Sequence, residues 1–214
     1  MSVGEILRKT FVPAIDGTAP VAGPLSEGGG VIPLAAFPAD GVEHYLKKLG
    51  AQQRHRLSRA EIGEALARLA YTGYDKILQQ YLGRFWSADY GLIWRAPPQS
   101  SSGTWHHDNV GHRVKIFVIL ANDSPENGTQ FMPFTHRTRW TSFSGRLAAP
   151  DGQPLFVRQQ RGDVLMFDTN MMHRGMYTPY ERIILQVEFT NILKSFFVPG
   201  QIGRYFRGRF ESAA

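Results

Sequence analysis

The stretch GTWHHDNVGH, Gly103 to His112, places Trp105, His106, His107 and Asp108 side by side, with His112 just beyond. The whole chain has 7 histidines, so this density sets the run apart. In extended backbone, successive side chains alternate between faces. His106 and Asp108 then project to one side and His107 to the other, as a pocket-lining or solvated residue. A further ligand is available far downstream at His173, in GDVLMFDTNMMHRG (162–175), which reads as the far end of a strand that starts after the Gly162–Asp163 turn. Two imidazoles and one carboxylate form the ligand set for non-haem Fe(II), leaving coordination positions open. A structural zinc site is closed instead. An α-keto acid can chelate through two of the open positions and leave another for O2.

A keto acid such as 2-oxoglutarate brings a distal carboxylate that needs a cation. Arg182 opens the strand RIILQVEF, and a hairpin through GMYTPYE is expected to return that strand beside His173. A guanidinium fork matches both carboxylate oxygens. The rival Arg174 adjoins His173 and therefore faces the opposite side. Thr129 and Lys115 are further candidates for binding the cosubstrate. Lys115 interrupts the apolar run RVKIFVIL with a parity different from that of Val114, Ile116 and Val118. It takes either the solvent face, which the alternation favours, or a carboxylate contact inside the barrel. His112, Arg113 and Trp105 are the candidate substrate contacts, although surface charge accounts equally well for Arg113, and Trp105 suits packing beside the metal. His136 reads as holding the loop after Pro133, and Asp168 as orienting the turn before His173 or as an exposed loop acid.

These groups need elements to position them. Residues 1–29, rich in Pro, Gly, Ser and Thr, read as an irregular arm. Val31 to Leu34 reads as a strand. It is followed by a helix capped by Asp40, with Lys47 and Lys48 in its last turn and Gly50 as its stop. Ser58 and Glu61 make a capping box for a longer helix, which Gly73 breaks in two and Gly83 ends. From about residue 85, runs rich in β-branched and aromatic residues (YGLIWRA, RVKIFVILA, TQFMPF, TRWTSF, LFVRQQ, DVLMF, RIILQVEFTNI) alternate with Gly/Pro turns, among them RGD at 161–163. The order of helices then strands indicates an α+β chain with a mainly β core, a sandwich or barrel carrying a helical layer. One domain is expected over 30–214, with helices at about 38–83, the β-core at about 85–193 and a tail at 194–214.

Composition limits the chemistry. The chain of 214 residues has no cysteine, which excludes disulfides, thiolate metal sites and a cysteine nucleophile. The first residues lack the apolar core of a signal peptide and no apolar run is long enough to span a bilayer, so a cytoplasmic protein is expected. The net charge of +6 comes from dispersed arginines; only GRYFRGRF (203–210) interleaves Arg with aromatics, and no nucleic-acid motif accompanies it. The expected partner is a small molecule, with the basic balance favouring an acidic one. Oligomeric state is not legible.

The sequence also resembles the phytanoyl-CoA dioxygenase-like family of Fe(II)/2-oxoglutarate oxygenases. The resemblance rests on WHHD, on ENGTQFMPFTHR (Asn127, Gly128, Pro133, Thr135, His136), on GDVLMFDTNMMHRG, on Arg182 beyond it, and on the opening GVIPLAAFPADGVEHYLKKL. Together these cover roughly residues 30–190 in the family's order. The resemblance implies a double-stranded β-helix, or jelly roll, with N-terminal helices packed against it. It implies His106, Asp108 and His173 as iron ligands and Arg182 as the anchor of 2-oxoglutarate. It also implies O2-dependent hydroxylation of a C–H bond, with succinate and CO2 as co-products. A carboxylate at 108 separates the chain from related halogenases, which have a small residue there. Ile184 departs from the pattern, because a hydroxyl residue often stands two places after the cosubstrate arginine. The segment from His173 to Arg182 is also shorter than in some members. Other readings are a non-catalytic metal-binding jelly roll acting as sensor or scaffold, a zinc hydrolase on a similar barrel, and a basic nucleic-acid-binding domain.

Overall fold

The computed structural model describes residues 23–98, 104–108, 113–137, 145–146, 151–176 and 178–191. Two antiparallel sheets face each other, and a helical layer covers the outer side of the larger one. The helices are α1 (Pro24–Glu27), α2 (Ala39–Leu49), α3 (Arg59–Leu69) and α4 (Tyr74–Leu82). The strands are β1 (Val31–Leu34), β2 (Arg54–Arg56), β3 (Trp86–Ala96), β4 (His106–His107), β5 (Arg113–Asn122), β6 (Thr129–Phe131), β7 (Gly145–Arg146), β8 (Leu155–Val157), β9 (Val164–Asp168), β10 (His173–Gly175) and β11 (Arg182–Asn191). The six-stranded sheet runs β1-β9-β5-β11-β3-β2, and the five-stranded sheet runs β7-β4-β10-β6-β8. Successive strands β3, β4, β5 and β6 alternate between the sheets, as do β9, β10 and β11. This is the double-stranded β-helix, and the α+β expectation with a mainly β core holds.

The helices form where the sequence places their signals, with one correction. Ser58 and Glu61 close a reciprocal capping box at the start of α3, and Gly73, in the left-handed region, separates it from α4. Asp40, expected to cap α2, lies inside its first turn; Pro38 is the capping residue, and no side chain caps the helix. Pro38 holds the extended conformation that precedes a helix, so Asp40 instead accepts a hydrogen bond from Arg68 at 2.7 Å. Within the expected irregular arm, Pro24–Glu27 forms a helical turn that buries Leu25. The RGD segment is a turn: Asp163 accepts from the Gln160 amide at 2.6 Å, and Arg161 pairs with Glu43. No described helix is long and apolar enough to cross a membrane.

Burial explains the sheet order. β5, β9 and β11 are central and covered on both sides. Val114, Ile116, Val118 and Leu120 of β5 meet Tyr45, Leu49, Leu78 and Leu82 of the helices in one apolar cluster. Phe117, Ile119, Phe167, Ile184 and Phe131 fill a second cluster between the sheets. The expectation of a solvent face on β5 is therefore wrong: Lys115 is buried with the inter-sheet set. A strand covered on both faces reads as a near-continuous apolar run, and a lone lysine in it lies inside the protein.

Candidate metal centre

β4 and β10 are hydrogen-bonded neighbours, and His173 stands directly opposite His106 in their register. Cross-strand partners bring their side chains together, and the two imidazole centroids are 4.4 Å apart. Asp108 follows β4 by one residue, and its amide donates to Thr169 O at 3.0 Å, in the turn that leads into β10. Candidate ligand atoms of His106, Asp108 and His173 all lie within 4.8 Å of one another. His106 Nε2 is 3.8 Å from Asp108 Oδ1, and His173 Nε2 is 3.5 Å from Asp108 Oδ2.

Both histidines are held the same way. His106 Nδ1 is 2.7 Å from Thr104 O, and His173 Nδ1 is 2.7 Å from Met171 O. A carbonyl can only accept, so each Nδ1 carries a proton and each Nε2 is the nitrogen turned to the centre. Burial and the neighbouring His173 lower the pKa of His106, which favours the neutral form that a metal requires. Burial by itself would raise the Asp108 carboxyl, but the Lys115 ammonium overrides it and holds the group well below its ordinary value. Asp108 is therefore a carboxylate near neutral pH. Nitrogen and oxygen donors sit about 2.0–2.2 Å from a first-row ion such as zinc, which puts adjacent donors roughly 3 Å apart. The observed separations need only small side-chain adjustments to reach that. Two imidazoles and one carboxylate on one side fit a divalent ion with open positions.

Two sequence expectations about strand placement are corrected. His173 does not lie on the strand that follows Gly162–Asp163; that strand, β9, ends at Asp168, and a turn carries the chain to β10 in the other sheet. Asp168 shapes this turn from a buried position. Its Oδ1 accepts from the Asn170 amide and from Asn170 Nδ2, both at 2.7 Å, and its Oδ2 accepts from Tyr81 OH at 2.5 Å. The exposed-acid alternative thus falls, and burial lifts the Asp168 carboxyl to about 6. Likewise β11 does not return beside β10 as a hairpin; it pairs with β3 and β5 in the six-stranded sheet. Arg182 instead reaches from that sheet to the opposite one.

The Arg182 guanidinium is buried and donates to Thr129 Oγ1 on β6 at 3.1 Å and to Gln159 Oε1. Its Nε is buried with no hydrogen-bond partner among the described residues. Burial lowers its pKa to about 10, so it stays charged at neutral pH, and no carboxylate pairs with it among the described residues. A buried cation with an unsatisfied donor can pair with an anion. Gly128 lets this corner close, since a Cβ there would sit 2.5 Å from Val157 O.

The remaining candidates divide. Lys115 Nζ is 2.6 Å from Asp108 Oδ2 and 3.1 Å from Glu188 Oε1. Arg113 is committed to Glu188 at 3.1 Å and Asp89 at 2.9 Å. Trp105 is buried in a cluster with Met132 and Met172, under the Arg174 guanidinium at 4.7 Å from the ring centroid. His107 is buried rather than solvated, and His136 is buried in a short helical turn (Thr135–Arg137) after Pro133. A Cβ on Gly30 would sit 2.6 Å from His136 Nδ1, so that loop packs tightly against the start of β1. His112, TRWTSF and the tail at 203–210 fall outside the described residues. Sequence reasoning missed Gln159 and Glu188. The first carried no signal, whereas Glu188 shares the parity of Arg182 on β11 and could have been paired with Lys115 by the same alternation argument.

No protein-family model matches the sequence, and no curated protein matches it. Solved structures do resemble the fold. An iron-bound crystal structure of HygX from Streptomyces hygroscopicus aligns with a TM-score of 0.57 at 17% identity, over 76% of this chain and 82% of that one. EctD from S. alaskensis with bound Fe aligns with a TM-score of 0.60 at 17% identity, over 84% of this chain and 83% of that one. EctD from the same source with 2-oxoglutarate and 5-hydroxyectoine aligns at 0.58 and 20% identity, over 78% and 73%. At such identities the likeness establishes the shared double-stranded β-helix and nothing narrower.

Proposed function

We propose that this chain is an Fe(II)- and 2-oxoglutarate-dependent oxygenase that hydroxylates a C–H bond of a small molecule. The observation that carries the reading is the convergence of His106, Asp108 and His173, with both Nε2 atoms freed for a metal by their Nδ1 contacts. The iron in HygX and EctD and the 2-oxoglutarate in EctD support it, since they occupy the same fold. The resemblance to the phytanoyl-CoA dioxygenase-like family rests on the motifs alone and is part of this proposal.

In this reading His106, Asp108 and His173 hold the ion, and Arg182 with Thr129 binds the distal carboxylate of 2-oxoglutarate. Bound iron with chelated 2-oxoglutarate would supply the oxidation of a C–H bond by O2, releasing succinate and CO2. The protein contributes two imidazoles, a carboxylate held ionised by Lys115, and a buried guanidinium that aligns the cosubstrate. Phe131 and Phe167 lie beside His173, with ring centroids 6.1 and 5.2 Å from the imidazole, and keep water from that side. The net charge of +6 favours an acidic substrate through long-range attraction.

Anaerobic titration with Fe(II) and 2-oxoglutarate tests this. The unaltered protein should develop a visible metal-to-ligand charge-transfer band, and Asp108→Ala and His173→Ala should lose it. A metal complex without that band would favour the non-catalytic alternative. Admission of O2 with a panel of small acids, read as succinate formation, then addresses the substrate.

A further inference from the structure

A line of alternating charges runs away from the metal centre along the inner face of the six-stranded sheet. Asp108 Oδ2 accepts from Lys115 Nζ at 2.6 Å, and Lys115 also meets Glu188 Oε1 at 3.1 Å. Glu188 Oε2 accepts from Arg113 at 3.1 Å, and the other terminal nitrogen of Arg113 donates to Asp89 Oδ2 at 2.9 Å. Lys115 and Glu188 are directly opposed in the β5–β11 register, so the backbone fixes the ammonium in place. Lys115 is 7% exposed, which leaves it no route to swing into water. An ammonium at 2.6 Å has taken one lobe of the Asp108 carboxylate and leaves the other for a metal.

We propose that Lys115 is a positioning residue: it keeps Asp108 a one-oxygen ligand and thereby preserves the coordination positions that a bidentate keto acid needs. The inference rests on the metal-centre reading above. Without the ammonium, both Asp108 oxygens can grip the ion. That strengthens the carboxylate–metal interaction, also because a cation near the metal has gone, and it closes a position to the cosubstrate. Glu188 acts through Lys115: it shares the ammonium with Asp108, so that its loss leaves the ammonium to Asp108 alone. It does not touch the metal.

The test uses the full chain, Co(II) as the probe ion, and its visible spectrum and binding isotherm with and without 2-oxoglutarate. Lys115→Met should bind Co(II) about tenfold or more tightly than the unaltered protein, the scale of removing one nearby charge at low dielectric. The same variant, once loaded with Co(II), should bind 2-oxoglutarate at least about tenfold more weakly. Glu188→Gln removes a negative charge but keeps the side-chain shape, so it should weaken Co(II) binding while 2-oxoglutarate affinity is kept or improved. A merely structural role predicts weaker binding of both in each variant. Folded Lys115→Met with unchanged or weaker Co(II) binding overturns the proposal. If that variant does not fold, Glu188→Gln decides, and tighter or unchanged Co(II) binding overturns it. Failure of the unaltered protein to bind Co(II) would instead overturn the metal-centre reading.

Discussion

On β5, Val114, Ile116, Val118 and Leu120 point to the helices, while Lys115, Phe117 and Ile119 point to the five-stranded sheet. β11 divides in the same way. Ile183, Leu185, Val187 and Phe189 face the helices; Arg182, Ile184 and Glu188 face the other sheet. The helix side contains almost nothing but hydrocarbon. The inner side carries a guanidinium at one end and a lysine–glutamate pair toward the other, with Phe117, Ile119, Ile184 and Gln186 between them. Both sides are largely buried, apart from the half-buried Gln186 on the inner one, so burial alone does not distinguish them. The difference lies in what completes the contacts. Helical side chains satisfy the outer face by packing, whereas the inner face has cations whose partners include groups of the metal centre. The outer face thus only packs, whereas in the proposed reading the inner face also binds ligands.

Substitutions can break that division. The largest effect is expected at Asp108. Asp108→Ala should cost more in metal affinity than the ~10–100-fold typical of losing an outer partner, with the folded state retained, as read by Fe(II) titration and circular dichroism. Leu78→Ala on α4, fully buried against the outer face, should cost about 2–5 kcal/mol of stability in a denaturant melt and leave the metal-binding isotherm of the folded protein unchanged. A loss of metal affinity there would show that the two faces are coupled. Arg182→Met should weaken 2-oxoglutarate binding by about two orders of magnitude, the scale of losing a charge-assisted pair, while the ion still binds. Ser58→Ala removes the capping box of α3 and should cost about 1 kcal/mol without effect on the site.

The boundary between the two faces is itself titratable. Tyr81 of α4 donates to Asp168, whose turn delivers His173. Burial raises the Asp168 carboxyl from 3.8 to about 6, so the folded state binds a proton that the unfolded chain has released between those values. The contribution to stability is full below 3.8 and is lost as pH rises through about 6. Asp168→Asn keeps the shape and should flatten this part of the pH–stability profile. A slope that persists in the variant would assign the proton to another group.

Local signals were legible wherever the cause was local. The capping box at Ser58–Glu61, the break at Gly73 and the strand Val31–Leu34 follow from a few adjacent residues. Asp40 failed as a cap because the neighbouring Pro38 already set the entry to the helix. The alternation that put His106 and Asp108 on one side and His107 on the other needed only an extended backbone. What the alternation could not reveal was the layer each face would meet. Lys115 was misplaced for that reason, and Glu188 was overlooked with it.

The amino-acid sequence by itself determined which atoms could bind a metal and where most of the longer strands and helices would lie, since side-chain chemistry and short-range backbone preference act over a few residues. Only the tertiary structure decided that β10 lies beside β4, that β11 belongs to the opposite sheet, and that Arg182 meets Thr129 across the gap. Those outcomes depend on strand pairing between distant segments, where the winning arrangement is the one that buries both faces of β5, β9 and β11 at once.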